Sequence, residues 1–205
     1  MFKIAFLVSG NGTNMENLVK EIQAGRIPDA KAAVVISDKP EAGALARAKK
    51  LGVETVVVDR KNFAAKTDFE KAMIHELESR GVHWIALAGF MRILSPDFVN
   101  HFHGRILNIH PSLLPAFPGG HSIKDAFDAR VKETGVTVHF VDDGVDTGPI
   151  ILQKKVAVEA KDTLESLETK VHAAEYEIYP EALRLVLSGK VHLPAHNRDE
   201  EFGKD

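Results

Sequence analysis

The sequence has no cysteine among its 205 residues. Disulfides, thiol nucleophiles and zinc–thiolate centres are thereby excluded, and the absence fits a reducing compartment. It also lacks an excess of either charge: 26 Lys and Arg stand against 29 Asp and Glu, a formal net charge of -3. That balance gives no general surface for nucleic acid or for an anionic membrane. No apolar run approaches the roughly 20 residues that span a bilayer. Residues 1–8 read directly as a strand and not as a signal peptide. Internal repeats and low-complexity segments are missing too. The expectation is a cytoplasmic protein with one domain over 1–190 and a polar tail over 191–205.

What is present is an alternation. Short Val- and Ile-rich runs at 4–8, 32–37, 55–58, 84–88 and 106–109 read as buried strands. Amphipathic stretches at 15–24, 42–51 and 67–80, with a shorter one at 97–102 after Pro96, read as helices. Strands and helices in that order predict an α/β, Rossmann-like fold, a mostly parallel sheet with helices on both faces. After Pro111 the pattern changes to a Pro- and Gly-containing loop. Residues 136–141 and 150–158 then read as two long strands, a hairpin at the sheet edge. A final helix is expected from Asp162, with Asp162 and Glu165 at capping-box spacing. Leu164, Leu167, Val171, Ala174 and Ile178 form its buried stripe, and Pro180 is expected to kink or interrupt it.

Two segments carry chemistry. Ser9-Gly10-Asn11-Gly12-Thr13-Asn14 lies between the first strand and the first helix, where glycines and unpaired helix N–H groups suit an anion. The third glycine of a dinucleotide fingerprint is absent, which disfavours NAD. The plainer alternative is a strand-to-helix turn capped by Thr13 or Asn14. The second segment is Asn108-Ile109-His110-Pro111. Residues two apart on a strand share a face, so Asn108 and His110 should enter one space at the strand's carboxyl end, where open α/β sheets bind ligands. An amide and an imidazole aimed together can stabilise an oxyanion and pass a proton. A buried histidine with only a structural part is the alternative. Asp142, Asp143 and Asp146 lie in the loop before Gly148-Pro149, and a carboxylate brought beside His110 would hold its ring and favour the charged imidazole. His101, His103, His110, His121 and His139 match no standard metal-ligand spacing, so no metal is expected.

These segments, together with Ala88-Gly89-Phe90-Met91-Arg92-Ile93-Leu94 and the continuation Ser112-Leu113-Leu114-Pro115, resemble the folate-dependent phosphoribosylglycinamide formyltransferase family from about Lys3 to Leu187. The resemblance implies the formyltransferase fold, with a C-terminal strand pair and a long helix. It implies transfer of a formyl group from 10-formyltetrahydrofolate, a co-substrate, to the amine of 5-phosphoribosylglycinamide. It implies a catalytic trio of Asn108, His110 and Asp146, and substrate binding by Gly12, Thr13, Asn14 and Glu175. It implies a folate pocket walled by Met91, Arg92, Ile93, Leu94, Val141, Asp142 and Asp143, with Lys66 where the family can carry an arginine. Small-molecule substrates, no nucleic acid, no membrane, and a monomer or weak homodimer complete the expectation. Ile123, two positions after His121, departs from relatives with a second histidine there. The rival folate enzymes, methionyl-tRNA formyltransferase and formyltetrahydrofolate hydrolase, share the Asn–His–Asp logic but normally carry a further domain. A phosphate-binding module without catalysis would leave Asn108, His110 and Asp146 idle.

Overall fold

Alternating side-chain direction along the first strand sets the layering. In β1 (Phe2–Val8) Ile4, Phe6 and Val8 face one helical layer, and Ala5 and Leu7 face the other. A strand covered on both sides reads as a continuous apolar run, which is how this one appears in the sequence. The computed structural model describes residues 1–193, so residues 194–205, most of the expected tail, lie outside the described residues. Val191 and Leu193, at its expected beginning, pack against the core.

The other strands are β2 (Ala30–Ser37), β3 (Thr55–Val57), β4 (Trp84–Leu87), β5 (Ile106–His110), β6 (Glu133–Phe140) and β7 (Ile150–Ala157). They form one sheet in the order β3-β2-β1-β4-β5-β6-β7. The first five strands of that order are parallel, and β6 and β7 add antiparallel. The expected edge hairpin is thus β6–β7. The chain winds outward from β1 to β3, then returns to place β4 on the other side of β1. That reversal leaves a crevice at the carboxyl ends of β1 and β4, the place where such sheets bind ligands.

Helices α1 (Thr13–Gln23), α2 (Gly43–Lys50) and α6 (Leu164–Leu187) cover one face, and α3 (Lys66–Ser79) and α4 (Pro96–His101) cover the other. A 3₁₀ turn at Arg60–Asn62 and helix α5 (Ser122–Asp128) were not expected from the sequence. Among the described residues no helix is long and apolar enough to cross a membrane.

Helix α6 departs from expectation twice. Its N-cap is Thr163, whose side chain accepts from the Ser166 backbone while Ser166 Oγ accepts from the Thr163 backbone. The capping box is therefore Thr163–Ser166, one residue beyond the expected Asp162–Glu165. Asp162 instead accepts from Lys170 Nζ, the Glu159 backbone and Ser166 Oγ. The Lys170 bond is the main cause that holds the Asp162 carboxyl down at about 2. The helix also runs unbroken through Pro180. Proline removes the bond that would reach the carbonyl four residues back, that of Tyr176. Asn17 Nδ2 of α1 donates to that oxygen at 2.9 Å, so it is not orphaned. The neighbouring Tyr179 is fully buried, its hydroxyl 2.9 Å from Leu87 O and 3.2 Å from Leu107 O. One proton shared between two strand carbonyls ties α6 to β4 and β5 beside the crevice. Burial pushes the Tyr179 hydroxyl well above its ordinary pKa, so it stays a donor. Tyr179→Phe is expected to cost about 1–3 kcal/mol, because buried carbonyls lose their partner. A urea titration would read it as a lower midpoint with unchanged slope.

Candidate active site

The crevice holds a cavity of about 360 Å³, within the range of small-molecule sites. Three chain segments form most of its wall, and Leu87, Gly119, Gly120 and His139 complete it. Gly89 to Leu94 leave the end of β4, Asn108 to Pro111 end β5, and Val141, Asp142 and Gly144 to Asp146 belong to the β6–β7 connection. Met91, Ile93 and Val145 are exposed apolar side chains on these walls, a surface suited to a flat apolar ligand.

The β4 loop owes its shape to buried polar anchors. Ser9 N donates to Gly89 O at 3.1 Å, and Met91 N donates to Ser9 Oγ at 2.9 Å. Arg92 Nε donates to Asp38 Oδ2 at 2.6 Å, and Asp38 is buried. At the far end Ser95 N donates to Glu70 Oε1 at 2.8 Å, and Ser95 Oγ donates to Glu70 Oε2. Lys66 lies 3.7 Å from Glu70.

Asp146 is where the walls meet. Its Oδ2 accepts from Gly119 N at 3.0 Å and lies 3.3 Å from His110 Nδ1. Its Oδ1 is 3.5 Å from Asn108 Nδ2 and 3.8 Å from His139 Nε2. Asn108 and His110, two apart on β5, therefore do reach one carboxylate from a remote loop. His110 is buried, and its Nε2 faces Phe117 O at 2.9 Å and Ser122 Oγ at 3.0 Å. Ser122 Oγ donates to Gly119 O, so toward His110 it accepts. Both partners of Nε2 are acceptors, and the carboxylate beside Nδ1 is another. Nε2 is therefore placed to donate, and the Nδ1 edge is the one shared with Asp146.

A second cluster sits at the start of α1, outside this cavity. The N-cap of α1 is Gly12, and no side chain caps the helix, contrary to the Thr13 or Asn14 cap considered from the sequence. The first N–H groups are thus left for an anion. Gly12 has φ +72°, and a Cβ there would meet Ala44 Cβ at 2.4 Å and Ala44 Cα at 2.9 Å. Glycine lets α2 close on the loop as well as making the turn. Gly12→Ala is expected to cost about 2–4 kcal/mol, strain and overpacking together, seen as a lower thermal midpoint. Asn14 Nδ2 donates to Glu175 Oε2 at 2.9 Å, and His172 Nδ1 is 2.8 Å from the same oxygen. The hydrogen bond with Glu175 raises the His172 pKa above the ordinary histidine value. Glu175 is buried on α6, so α6 presents a carboxylate to the glycine loop.

Comparison with known proteins agrees with this geometry. The formyl transferase profile matches residues 2–183. A phosphoribosylglycinamide formyltransferase of Bacillus subtilis (strain 168) is 42% identical over 91% of this chain and 95% of its own length. A glycinamide ribonucleotide transformylase 1 structure from Symbiobacterium toebii superposes with TM-score 0.91 at 44% identity, covering 95% of this chain and 92% of that one. The trifunctional purine biosynthetic protein adenosine-3 of Gallus gallus is 45% identical over 92% of this chain, which spans 19% of that longer protein. The chain belongs to the phosphoribosylglycinamide formyltransferase family. It is a formyl-transferring enzyme of purine biosynthesis.

Of the residues that the family resemblance assigned to the pocket, Met91, Arg92, Ile93, Leu94, Val141 and Asp142 line the cavity. Asp143 and Lys66 are not on its wall: the neighbours of Asp143 line it, and Lys66 turns toward Glu70. Asp38, Glu70, Ser122 and His139 were missed as parts of the site. The first three act on partners 12 to 54 positions away, a separation no local pattern reports. Among the described residues no group of three or more His, Asp or Glu is placed to hold a metal ion.

Proposed function

We propose that this formyltransferase moves the formyl group of 10-formyltetrahydrofolate to the amine of 5-phosphoribosylglycinamide, giving the N-formyl ribonucleotide and tetrahydrofolate. The observation that carries the reading is the meeting of Asn108, His110 and Asp146 on one cavity wall. The uncapped start of α1 follows β1, and Glu175 of α6 meets it through Asn14. In this reading the N–H groups after Gly12, from Thr13 and Asn14, take the phosphate, and Glu175 takes the ribose hydroxyls. Both contacts from Asn14 and His172 fall on Glu175 Oε2, which leaves Oε1 to the sugar. The folate ring lies against Met91 to Leu94, Val141 and Asp142.

The neutral amine attacks the formyl carbon, forming a C–N bond and an oxyanion. The Asn108 amide and the His110 Nδ1–H donate to that oxygen, each worth about 2.7–4 kcal/mol by analogy with other oxyanion sites. Collapse breaks the bond to the folate nitrogen. Asp146 collects the proton leaving the amine and His110 delivers one to the departing nitrogen, directly or through water.

Mixing the protein with the ribonucleotide and a 10-formyltetrahydrofolate analogue tests the substrate pair. Folate release that depends on the ribonucleotide is the expected result. Equal release without it would make the enzyme a hydrolase and sink this reading.

A further inference from the structure

Asparagine's amide presents an oxygen at one end and an NH₂ at the other, nearly alike in shape. For Asn108 to donate, something must choose its orientation. The structure assigns that choice to His139: we propose that it is a positioning residue whose bare Nε2 holds the Asn108 amide with its NH₂ toward Asp146. The inference rests on the formyl-transfer reading above and deepens it.

His139 lies on β6, directly paired with Asn108 across the β5–β6 ladder. It is 2% exposed. Its Nδ1 is 2.7 Å from Phe140 O, and its Nε2 is 3.2 Å from Asn108 Nδ2. A carbonyl only accepts, so the ring's one proton sits on Nδ1. Burial lowers the His139 pKa and His110 lowers it further, against the opposing effects of Phe140 O, Asp146 and Asp142. The ring is therefore neutral and Nε2 is a lone pair. A lone pair is satisfied by the nitrogen end of the amide and repelled by its oxygen end.

The consequence runs along a single line of protons. His139 gives its proton to Phe140 O and accepts one N–H of Asn108. The second N–H points toward Asp146 Oδ1 at 3.5 Å, longer than the 3.2 Å from the same nitrogen to His139 Nε2. A bond that long is the one a developing oxyanion can displace. If Nε2 carried the proton instead, the amide would turn its oxygen to His139, and the orientation of its donors would no longer be fixed. The β6 histidine, itself 2% exposed, thus controls the polarity of a donor on β5.

A double-mutant cycle tests this, with kcat and both KM values measured for full-length protein. Asn108→Ala is expected to lower kcat about 10²-fold. His139→Phe, which keeps a buried ring but no acceptor, should lower kcat about tenfold or more with each KM within about twofold. His139→Gln, whose oxygen can accept, should restore kcat to within about threefold of wild type. In the Asn108→Ala background His139→Phe should cost less than about twofold, because a residue acting through Asn108 has nothing left to orient. A full additive loss there, or His139→Gln as impaired as His139→Phe while folded, overturns the inference. Nitrogen-15 NMR of the imidazole needs no variant. A neutral ring protonated at Nδ1 at neutral pH is expected, and a proton on Nε2 overturns it even if His139→Phe does not fold. If Asn108→Ala leaves turnover unchanged, Asn108 is no donor and the inference falls with it. If Asn108→Ala is impaired and His139→Phe is not, only the role of His139 fails.

Discussion

His110→Ala is expected to lower kcat for formyl transfer by about 10²- to 10⁴-fold, the range for a positioned proton-transfer group. Affinity for the ribonucleotide should stay within about threefold, because the phosphate would bind elsewhere. The structure gives the reason for the split. His110 ends β5 and shares its Nδ1 edge with Asp146, whereas the uncapped helix start and Glu175 belong to β1, α1 and α6. The substitution also removes the ring that joins Phe117 O and Ser122 Oγ, so the loop before α5 loses a tie. A thermal midpoint measured beside kcat separates that loss from the chemical one. Titration calorimetry with the ribonucleotide alone reads the binding. A variant with wild-type turnover would remove the imidazole from the mechanism, and a pure phosphate-binding module would show no turnover in either protein.

The parallel half of the fold was legible because its strands are buried on both faces and leave continuous apolar runs, as in β1 and β4. The period of two on β5 placed Asn108 and His110 on one side, and the fold brings them to one carboxylate. Two kinds of feature were hidden. The first is the short element whose apolar residues are too few to show a period. Helix α5, Ser122-Ile123-Lys124-Asp125-Ala126-Phe127-Asp128, buries only Ser122 and Ala126, and it follows two glycines that read as loop. The second is the buried polar group whose partner is remote. Asp38 and Glu70 look like solvated charges in sequence, yet each fixes one end of the β4 loop. Pro180 belongs here too. Local rules end a helix there, and only the amide of Asn17 on another helix supplies what the proline removes. His139 stood in the sequence as one of several unexplained histidines, and its meaning came from a β5–β6 register that no spacing along the chain encodes. Lys66 shows the converse: a position carried over from a family pattern, which the fold turns toward Glu70 and away from the cavity wall.

Asp146→Asn should be the most informative substitution at the site. Asp146 has φ +56°, a left-handed conformation that asparagine tolerates nearly as well as aspartate. The backbone is therefore spared and the change isolates the carboxylate. That carboxylate takes Gly119 N and His110 Nδ1 on one oxygen and Asn108 Nδ2 on the other. All three can present protons, and an amide has only one oxygen to offer them. If the substituted side chain keeps the Gly119 bond, its NH₂ turns toward Asn108, donor against donor, and the neutral group no longer offers a carboxylate to His110 Nδ1. We expect kcat to fall about 10²- to 10³-fold, with the thermal midpoint within a few degrees of wild type because the loop keeps its tie to Gly119. Asp146→Ala loses that tie as well, and should raise the folate KM in addition to lowering kcat, since the β6–β7 connection forms part of the pocket's wall. The two variants thus divide charge from anchorage. Should Asp146→Asn retain more than about a tenth of wild-type kcat, well above the loss expected for a lost charged partner, the negative charge has no part in moving the proton, and Asp146 acts only as the latch of its loop.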